Sequence, residues 1–188
     1  QSFFALEQLS GRVCQLCRRI GRVSRAGRVG KGKPPVTAVV IGGYASVFGL
    51  RDGAGDRVMR GAFARSLRRK PFTRIPMLWQ HDPASPVGQW DVIREDARGL
   101  WVAGRLVPEV ARAREAAALI GAGALSGLSI GFRAVRAQRN PRSRERILTE
   151  IDLWEISLVT FPQAEAARVR LLPHLPKTPK QTATTRRL

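Results

Sequence analysis

The sequence predicts an α+β domain that is mostly β, a small and mostly antiparallel barrel or sandwich with helices packed on it. Three observations lead to this fold class. Many short β-like runs are separated by turn-forming residues, as in small antiparallel β folds. Only two segments place apolar residues at helical spacing. The 188 residues, 44% of them hydrophobic, suffice for one domain with a core.

The first half of the predicted domain contains three strands and one short helix. The paired glycines Gly42 and Gly43 predict a hairpin or bend between the first two strands. Phe63 and Leu67 lie four residues apart, which favours a helix. In chain order, the predicted elements are strands 36–41 and 44–48, a loop 51–56, a helix within 61–69 and a strand 75–80 that ends at His81.

The second half contains a hairpin, a helix and three further strands. Asp96 and Gly99 in EDARG predict the hairpin turn between strands 86–94 and 100–106. The stretch 108–121 has apolar residues at helical spacing, with Pro108 suited to its first turn and Gly121 or Gly123 to its C-terminal cap. The serine-containing strand 127–137, a basic loop QRNPRSRE and strands 146–151 and 153–160 follow.

The formal net charge of +19 is concentrated at the ends of the chain. Residues 1–34 contribute +7, residues 173–188 contribute +4, and residues 35–172 carry about +8. We therefore expect a disordered basic arm at 1–34, a folded domain at 35–172 and a disordered basic tail at 173–188. The charge suits an acidic or nucleic-acid-containing environment, but no aromatic stacking platform is evident, so nucleic-acid binding is expected to be at most non-specific.

Cys14 and Cys17 form a single CQLC pair. A structural zinc site needs four ligands, and neither a second cysteine pair nor a nearby histidine exists, so we predict two reduced thiols, no metal and no cofactor. No apolar run approaches 18 residues, so no membrane span is predicted.

One histidine and one serine are suited to nucleophilic catalysis. His174 lies in the tail, which leaves His81 as the credible base near neutral pH. Ser129 alternates with apolar neighbours, so a strand places it on the face opposite the apolar one. Gly127 and Gly131 flank this serine, and we expect their missing side chains to leave its hydroxyl open to another backbone.

Each of these residues also has a non-catalytic interpretation. A histidine after a strand commonly satisfies a local hydrogen bond, and a serine between glycines commonly marks a bulge or a tight packing site. Ser126 is a second candidate nucleophile, but it is in phase with the apolar face and follows the helix, which favours capping or packing. No GxSxG motif is present, which disfavours an α/β-hydrolase esterase.

Several motifs occur together in a family-specific order. They are YASVFG, DRVMRGAF, LWQHD followed by PVGQW, GLWVAGRL, GALSGLSIGF and EIDLWEISLVTFP. Over about residues 37–170 the chain resembles the tailed-phage prohead (capsid maturation) serine proteases of the HK97 type, which are distantly related in fold to herpesvirus assemblins. The resemblance implies a small antiparallel β-barrel flanked by a few helices.

The resemblance also implies catalytic roles. The histidine of the LWxHD motif falls on His81, which would be the general base, and the serine of the SIGF motif falls on Ser129, which would be the acylating nucleophile. Glu155 lies where the family carries an acid, and on a regular strand it shares a face with Leu153, Ser157 and Val159. We rank Glu155 first as third member, Asp152 second and Asp82 third.

For function, the resemblance implies a serine endopeptidase that processes the major capsid protein or its scaffolding segment, and in some cases itself. Its place would be the assembling prohead in the bacterial host cytoplasm, away from membranes, and self-association stays open. Two alternatives remain. One is a basic capsid-associated or nucleic-acid-binding structural protein without catalytic activity, supported by the +19 charge. The other is an inactive relative that serves only in assembly.

Overall fold

The alternating apolar residues fold into eight strands in the part of the chain that the computed structural model describes, residues 38–143 and 145–176. The arm 1–34 with Cys14 and Cys17, and the tail after residue 176, lie outside the described residues. The strands are β1 (Val40–Val47), β2 (Asp56–Val58), β3 (Pro76–Trp79), β4 (Asp82–Glu95), β5 (Gly99–Leu106), β6 (Gly127–Arg139), β7 (Arg146–Val159) and β8 (Arg168–Leu172). The α-helices are α1 (Ala64–Arg69) and α2 (Ala111–Gly121), and a 3-10 turn spans Phe72–Arg74.

Seven of these strands close into a barrel. Their order is β7-β3-β4-β5-β1-β8-β6, and β6 pairs back to β7. All of these pairings are antiparallel except β3 with β7, and β2 joins outside the closed ring by parallel pairing to the start of β7. Closure leaves few free strand edges. The predicted fold class, a mostly β barrel flanked by a few helices, is confirmed.

The barrel is filled by aliphatic and aromatic side chains. Burying each large apolar side chain contributes roughly 1.5–3 kcal/mol before the entropy of ordering is subtracted. The largest fully buried side chains are Trp90, Phe63, Ile41, Ile75, Met77, Leu100, Leu106, Leu128, Leu148, Ile151, Leu153 and Ile156. Strand β7 alone supplies Leu148, Ile151, Leu153 and Ile156, so it belongs to the core as well as to the barrel wall.

The two helices cover the outside of the barrel. The Leu153 amide of β7 donates a hydrogen bond of 2.9 Å to the buried Ser66 hydroxyl of α1. Helix α2 buries Ala113, Ala116 and Ile120, and Gly123 just after it adopts the left-handed φ of +73° expected of a C-terminal cap. None of the described helices is long and apolar enough to cross a membrane.

The predicted turn at Gly42-Gly43 is wrong, because β1 runs through both glycines without a break. A Cβ on Gly43 would overlap the Arg168 carbonyl of β8 and lie 3.2 Å from the Val169 Cα. A Cβ on Gly42 would lie 2.9 Å from the Val102 carbonyl oxygen of β5. The glycine pair therefore serves close approach of neighbouring strands, which has the same sequence signature as a turn.

Several boundaries also differ from the sequence predictions. Strands β2 and β8 have no predicted counterpart, because each is short and depends on pairing with a distant strand. The two strands predicted within 146–160 form the single strand β7. The predicted hairpin around EDARG is present, and the Asp96 carboxylate accepts hydrogen bonds from the Arg98 and Gly99 amides in its turn.

Gly43→Ala is expected to destabilise the barrel, because the added methyl group meets backbone that cannot rotate away. We expect the free energy of unfolding, measured by urea denaturation, to fall by about 1–3 kcal/mol. Gly121→Ala is the matched control, since its Cβ would lie 3.6 Å from the nearest heavy atom, an ordinary contact with Leu171. A Gly43→Ala variant as stable as the wild type would contradict this account of the close approach of β1 and β8.

Candidate active site

Strand β7 carries the central row of the candidate site, with β6 on one edge and β3 on the other. Ser129 of β6 pairs with Ser157 of β7, and Gly131 pairs with Glu155. Directly opposed residues in a sheet point to the same face. Ser129, Ser157 and the Glu155 carboxylate therefore share one face, on the side opposite the buried Leu128 and Leu158. On the other edge of β7, His81 follows the end of β3.

His81 sits in a two-residue turn that joins β3 to β4. Gln80 and His81 both have left-handed backbone conformations, with φ of 52° and 63°. Such conformations cost a non-glycine residue roughly 1–2 kcal/mol. Hydrogen bonds to β7 offset this cost, since the Gln80 amide donates to the Leu158 carbonyl at 2.9 Å and the His81 amide donates to the Ser157 hydroxyl at 3.2 Å. The turn therefore holds His81 against β7.

The Gln80 side chain adds a second attachment at the end of β7. Its amide nitrogen donates to the Thr160 hydroxyl at 2.8 Å, and the Thr160 amide donates back to its carbonyl oxygen at 3.3 Å. These two bonds connect the turn to the segment that follows Val159. Backbone strain that is held in place by surrounding hydrogen bonds, as in this turn, is typical of functional sites.

The imidazole of His81 is paired with the Glu155 carboxylate. Its Nδ1–H donates to Glu155 Oε1 at 2.6 Å. A carboxylate can only accept hydrogen bonds, so in this pair Nδ1 carries the proton and Nε2 of the neutral ring keeps its lone pair. The His81 side chain is 44% exposed, whereas that of Glu155 is only 13% exposed. The pair can therefore present a basic nitrogen to a ligand while the acid stays shielded.

A β-bulge at Trp154 turns Glu155 towards this face. Gly131 of β6 pairs with Glu155, but the next residue, Phe132, pairs with Leu153, so Trp154 is an extra residue in β7. The bulge shifts the alternation by one residue. Leu153 and Ile156 can therefore both be fully buried. The prediction that Leu153 shares the face of Glu155 is wrong for this reason.

Gly131 leaves room for the Glu155 carboxyl group. A Cβ on Gly131 would overlap Oε1 and lie 2.8 Å from Cγ and 2.9 Å from Cδ of Glu155. The space beside Gly127 is also occupied, because a Cβ there would lie 2.9 Å from Pro162. The expectation that the two glycines leave the Ser129 hydroxyl open to another backbone stays a prediction, but both glycines have a further role. They make space for residues of this chain.

Ser129 borders a cavity of about 440 Å³. The serine is 7% exposed, and the other walls include Ser46, Asp56, Phe132 and Gln163. Beyond Gly127, β6 has no strand partner on its second edge within the described residues. No hydrogen bond joins the Ser129 hydroxyl to His81 in this structure, and such bonds often tighten only when a substrate is bound.

Asp152 and Asp82, the lower-ranked acids, make contacts away from His81. Asp152 pairs with Lys70 at 2.7 Å, and this hydrogen bond lowers the pKa of the Asp152 carboxyl. The hydrogen bonds from the Ser85 hydroxyl and the Ala84 amide lower the pKa of Asp82. Of the three acids ranked from the sequence, the structure therefore brings only Glu155 to the imidazole.

The remaining sequence candidates lie elsewhere. Ser126 precedes β6, and its backbone carbonyl accepts a hydrogen bond from the Val169 amide of β8. His174 is exposed beyond the end of β8. No cluster of three potential metal ligands occurs within residues 38–143 and 145–176.

The contact made by Ser157 was not predicted, although the sequence contains a signal for it. The Ser157 hydroxyl is fully buried and donates to Glu155 Oε2 at 2.6 Å. A serine two positions after an acid on a strand lies on the same face as that acid. The attachment of Gln80 to Thr160 left no such signal, because the two residues are 80 positions apart and meet only after β3 pairs with β7.

The sequence of this chain is similar to those of known phage proteins. Residues 33–181 match the family described as Caudovirus prohead serine protease. The chain is 36% identical over 132 residues to the prohead protease of Enterobacteria phage HK97, with 69% of this chain aligned, and 28% identical over 127 residues to that of Escherichia phage T5, with 66% aligned. The chain spans 58% of the length of each of these relatives.

Among solved structures, the fold is similar to that of the bacteriophage T4 capsid assembly protease. The TM-score is 0.52 at 12% identity, covering 64% of this chain and 81% of that one. The varicella-zoster virus protease also aligns, with a TM-score of 0.44 at 17% identity, covering 71% of this chain and 63% of that one.

Gly131→Ala is expected to separate the Glu155 carboxylate from His81, because the methyl group would take the space of Oε1. Nitrogen-15 NMR of the imidazole should then show both tautomers in place of the single Nδ1–H form. Gly121→Ala is again the control and should leave the His81 signals unchanged. Retention of the single tautomer in Gly131→Ala would contradict the packing argument.

Proposed function

This chain belongs to the caudovirus prohead serine protease family, and from that membership we propose that it is a serine endopeptidase that processes the capsid protein or its scaffolding segment during prohead maturation. The observation that carries the proposal is the pairing of His81 with Glu155 on the sheet face that also bears Ser129. A base oriented by an acid, on the same sheet face as a serine that borders a cavity, supports acyl transfer.

In the proposed mechanism, the Ser129 oxygen attacks the carbonyl carbon of the scissile peptide bond while His81 Nε2 takes the hydroxyl proton. Glu155 holds the Nδ1–H and stabilises the imidazolium that forms. When the C–N bond breaks, Nε2–H gives its proton to the leaving amine, which leaves an acyl ester on Ser129. Water then attacks this ester, His81 takes the proton from the water, and proton return to Ser129 releases the carboxylic acid product.

The cavity and the free edge of β6 offer a place for the substrate. An extended peptide can add to an unpaired strand edge through main-chain hydrogen bonds. Such a peptide along β6 would bring its carbonyl groups to Ser129 and its side chains into the cavity of about 440 Å³. This mode of binding suits a flexible segment of a capsid or scaffold protein better than a folded domain.

The cellular setting belongs to the same proposal. The family description implies action inside the assembling prohead of a bacterial host. The protease domain would be residues 35–172, with the basic segments 1–34 and 173–188 as its flanking arm and tail. Cleavage of its own flanking segments and self-association are compatible with this proposal.

Ser129→Ala is expected to abolish processing, because without the serine oxygen no acyl-enzyme can form. On co-expression with the capsid protein, the cleaved product should fall by on the order of 10⁴-fold or more while the shell still assembles. Labelling by a fluorophosphonate should also disappear. Ser126→Ala, three positions away, is the matched control and should process and label normally. Undiminished cleavage by Ser129→Ala would refute the assignment, and salt-sensitive nucleic-acid binding without any cleavage would favour the non-catalytic alternative.

A comparison of three carboxylate variants tests the role of Glu155. Glu155→Gln keeps the shape of the side chain but removes the charge that stabilises the imidazolium, so kcat should fall by on the order of 10²- to 10⁴-fold. Asp152→Asn and Asp82→Asn should stay close to wild-type kcat, because their carboxylates contact other groups. A larger loss of kcat in either aspartate variant than in Glu155→Gln would overturn the ranking.

A further inference from the structure

The Ser157 hydroxyl joins the two groups that fix His81. Its oxygen accepts the His81 backbone amide at 3.2 Å, and its proton goes to Glu155 Oε2 at 2.6 Å. The other carboxylate oxygen, Oε1, accepts the imidazole Nδ1–H at 2.6 Å. The four groups form a closed hydrogen-bonded ring that runs from the His81 backbone through Ser157 and Glu155 to the His81 imidazole.

We propose that Ser157 is a positioning residue that sets the orientation of both Glu155 and His81. The inference rests on the proposed function, since it concerns the same catalytic base. The hydrogen bond from Ser157 to Oε2 restricts rotation of the Glu155 carboxylate, so Oε1 stays directed at Nδ1 of His81. With the His81 amide held as well, the backbone from which the imidazole extends is fixed at the same point.

The ring closes because of where the left-handed turn directs its amide. In this turn, where Gln80 and His81 have φ of 52° and 63°, the His81 backbone N–H faces β7 and the Ser157 oxygen. An apolar residue at position 157 would pack in the fully buried site but would leave this amide without its partner on β7. A hydroxyl satisfies the amide and still has a proton to give to the carboxylate.

Ser157 itself is unsuited to be the nucleophile. Its side chain is fully buried, whereas Ser129 reaches the wall of the cavity. Its proton is already donated to Glu155 and one lone pair already accepts the His81 amide. The two serines lie opposite each other on β6 and β7. In the proposed site, Ser129 attacks the substrate and Ser157 orients the base.

Ser66 provides a matched control for the loss of a buried hydroxyl. Like Ser157, it is buried and accepts a backbone amide, in its case that of Leu153 in β7 at 2.9 Å. Its hydrogen bond lies under α1 and touches neither His81 nor Glu155. Ser66→Ala should therefore reduce stability as Ser157→Ala does, without changing the base.

The experiment compares Ser157→Ala, Ser157→Thr and Ser66→Ala in processing of the capsid protein. Ser157→Ala should lower kcat by about 10- to 100-fold, as for other groups that orient a reactive side chain, with KM changed little because Ser157 touches no substrate. Ser157→Thr keeps the hydroxyl and should recover most of kcat. Ser66→Ala should keep wild-type kcat at a lowered Tm. If Ser157→Ala does not fold, Ser157→Cys takes its place, since a thiol is a weak hydrogen-bonding group of similar size.

Imidazole NMR gives a second measurement that does not depend on activity. In a His174→Gln background only His81 contributes ring signals. The single Nδ1–H tautomer of the parent should become a mixture in Ser157→Ala and persist in Ser66→Ala. An unchanged tautomer together with unchanged kcat in Ser157→Ala would overturn the inference while leaving the protease proposal intact. Full processing by Ser129→Ala would instead refute the protease proposal, and the tautomer of His81 would still decide the role of Ser157.

Discussion

The pairing of β7 with β6 on one edge and with β3 on the other is the constraint on which the rest of the structure depends. It closes the barrel, and it is also what brings His81, Ser129 and Glu155 together from positions up to 74 residues apart. Strand β7 buries aliphatic side chains on one face and carries Glu155 and Ser157 on the other. Its bulge at Trp154 allows both uses, because a regular strand could not bury Leu153 and Ile156 and still turn Glu155 outward.

The carboxylates of the described residues differ in the kind of partner they have. Asp56 binds Arg146 at 2.7 Å, Asp91 binds Arg105 at 2.6 Å, and Asp152 binds Lys70 at 2.7 Å, so these acids hold strands and loops in place. Glu155 is matched with a histidine and a serine instead. A guanidinium or ammonium partner would already neutralise the negative charge of the carboxylate. In the proposed mechanism, the imidazole and the hydroxyl leave that charge free to stabilise the imidazolium of His81.

Much of the fold and part of the site could be predicted from local patterns. Alternation identified β6, helical spacing identified α2, and Asp96 with Gly99 identified the hairpin of β4 and β5, because each pattern lies within a few consecutive residues. The same reasoning failed at Gly42-Gly43, where the cause is a carbonyl of β8 more than a hundred residues away. It also failed at Leu153, where the apolar positions shift from Ile151 and Leu153 to Ile156 and Leu158, because only the pairing with β6 shows that Trp154 is the extra residue.

The sequence by itself determined the fold class, the family and the residues available for chemistry, since His81 and Ser129 lie in motifs that can be read along the chain. From the sequence, Glu155, Asp152 and Asp82 could be ranked as the third member of the triad, but no physical property of the chain distinguished them. Only the tertiary structure decided which acid meets the imidazole, that Gly131 makes room for it, and that Ser157 ties it to the turn. The physical reason is that hydrogen bonds and side-chain volumes act over a few ångströms in space, and only strand pairing across the barrel brings these residues that close.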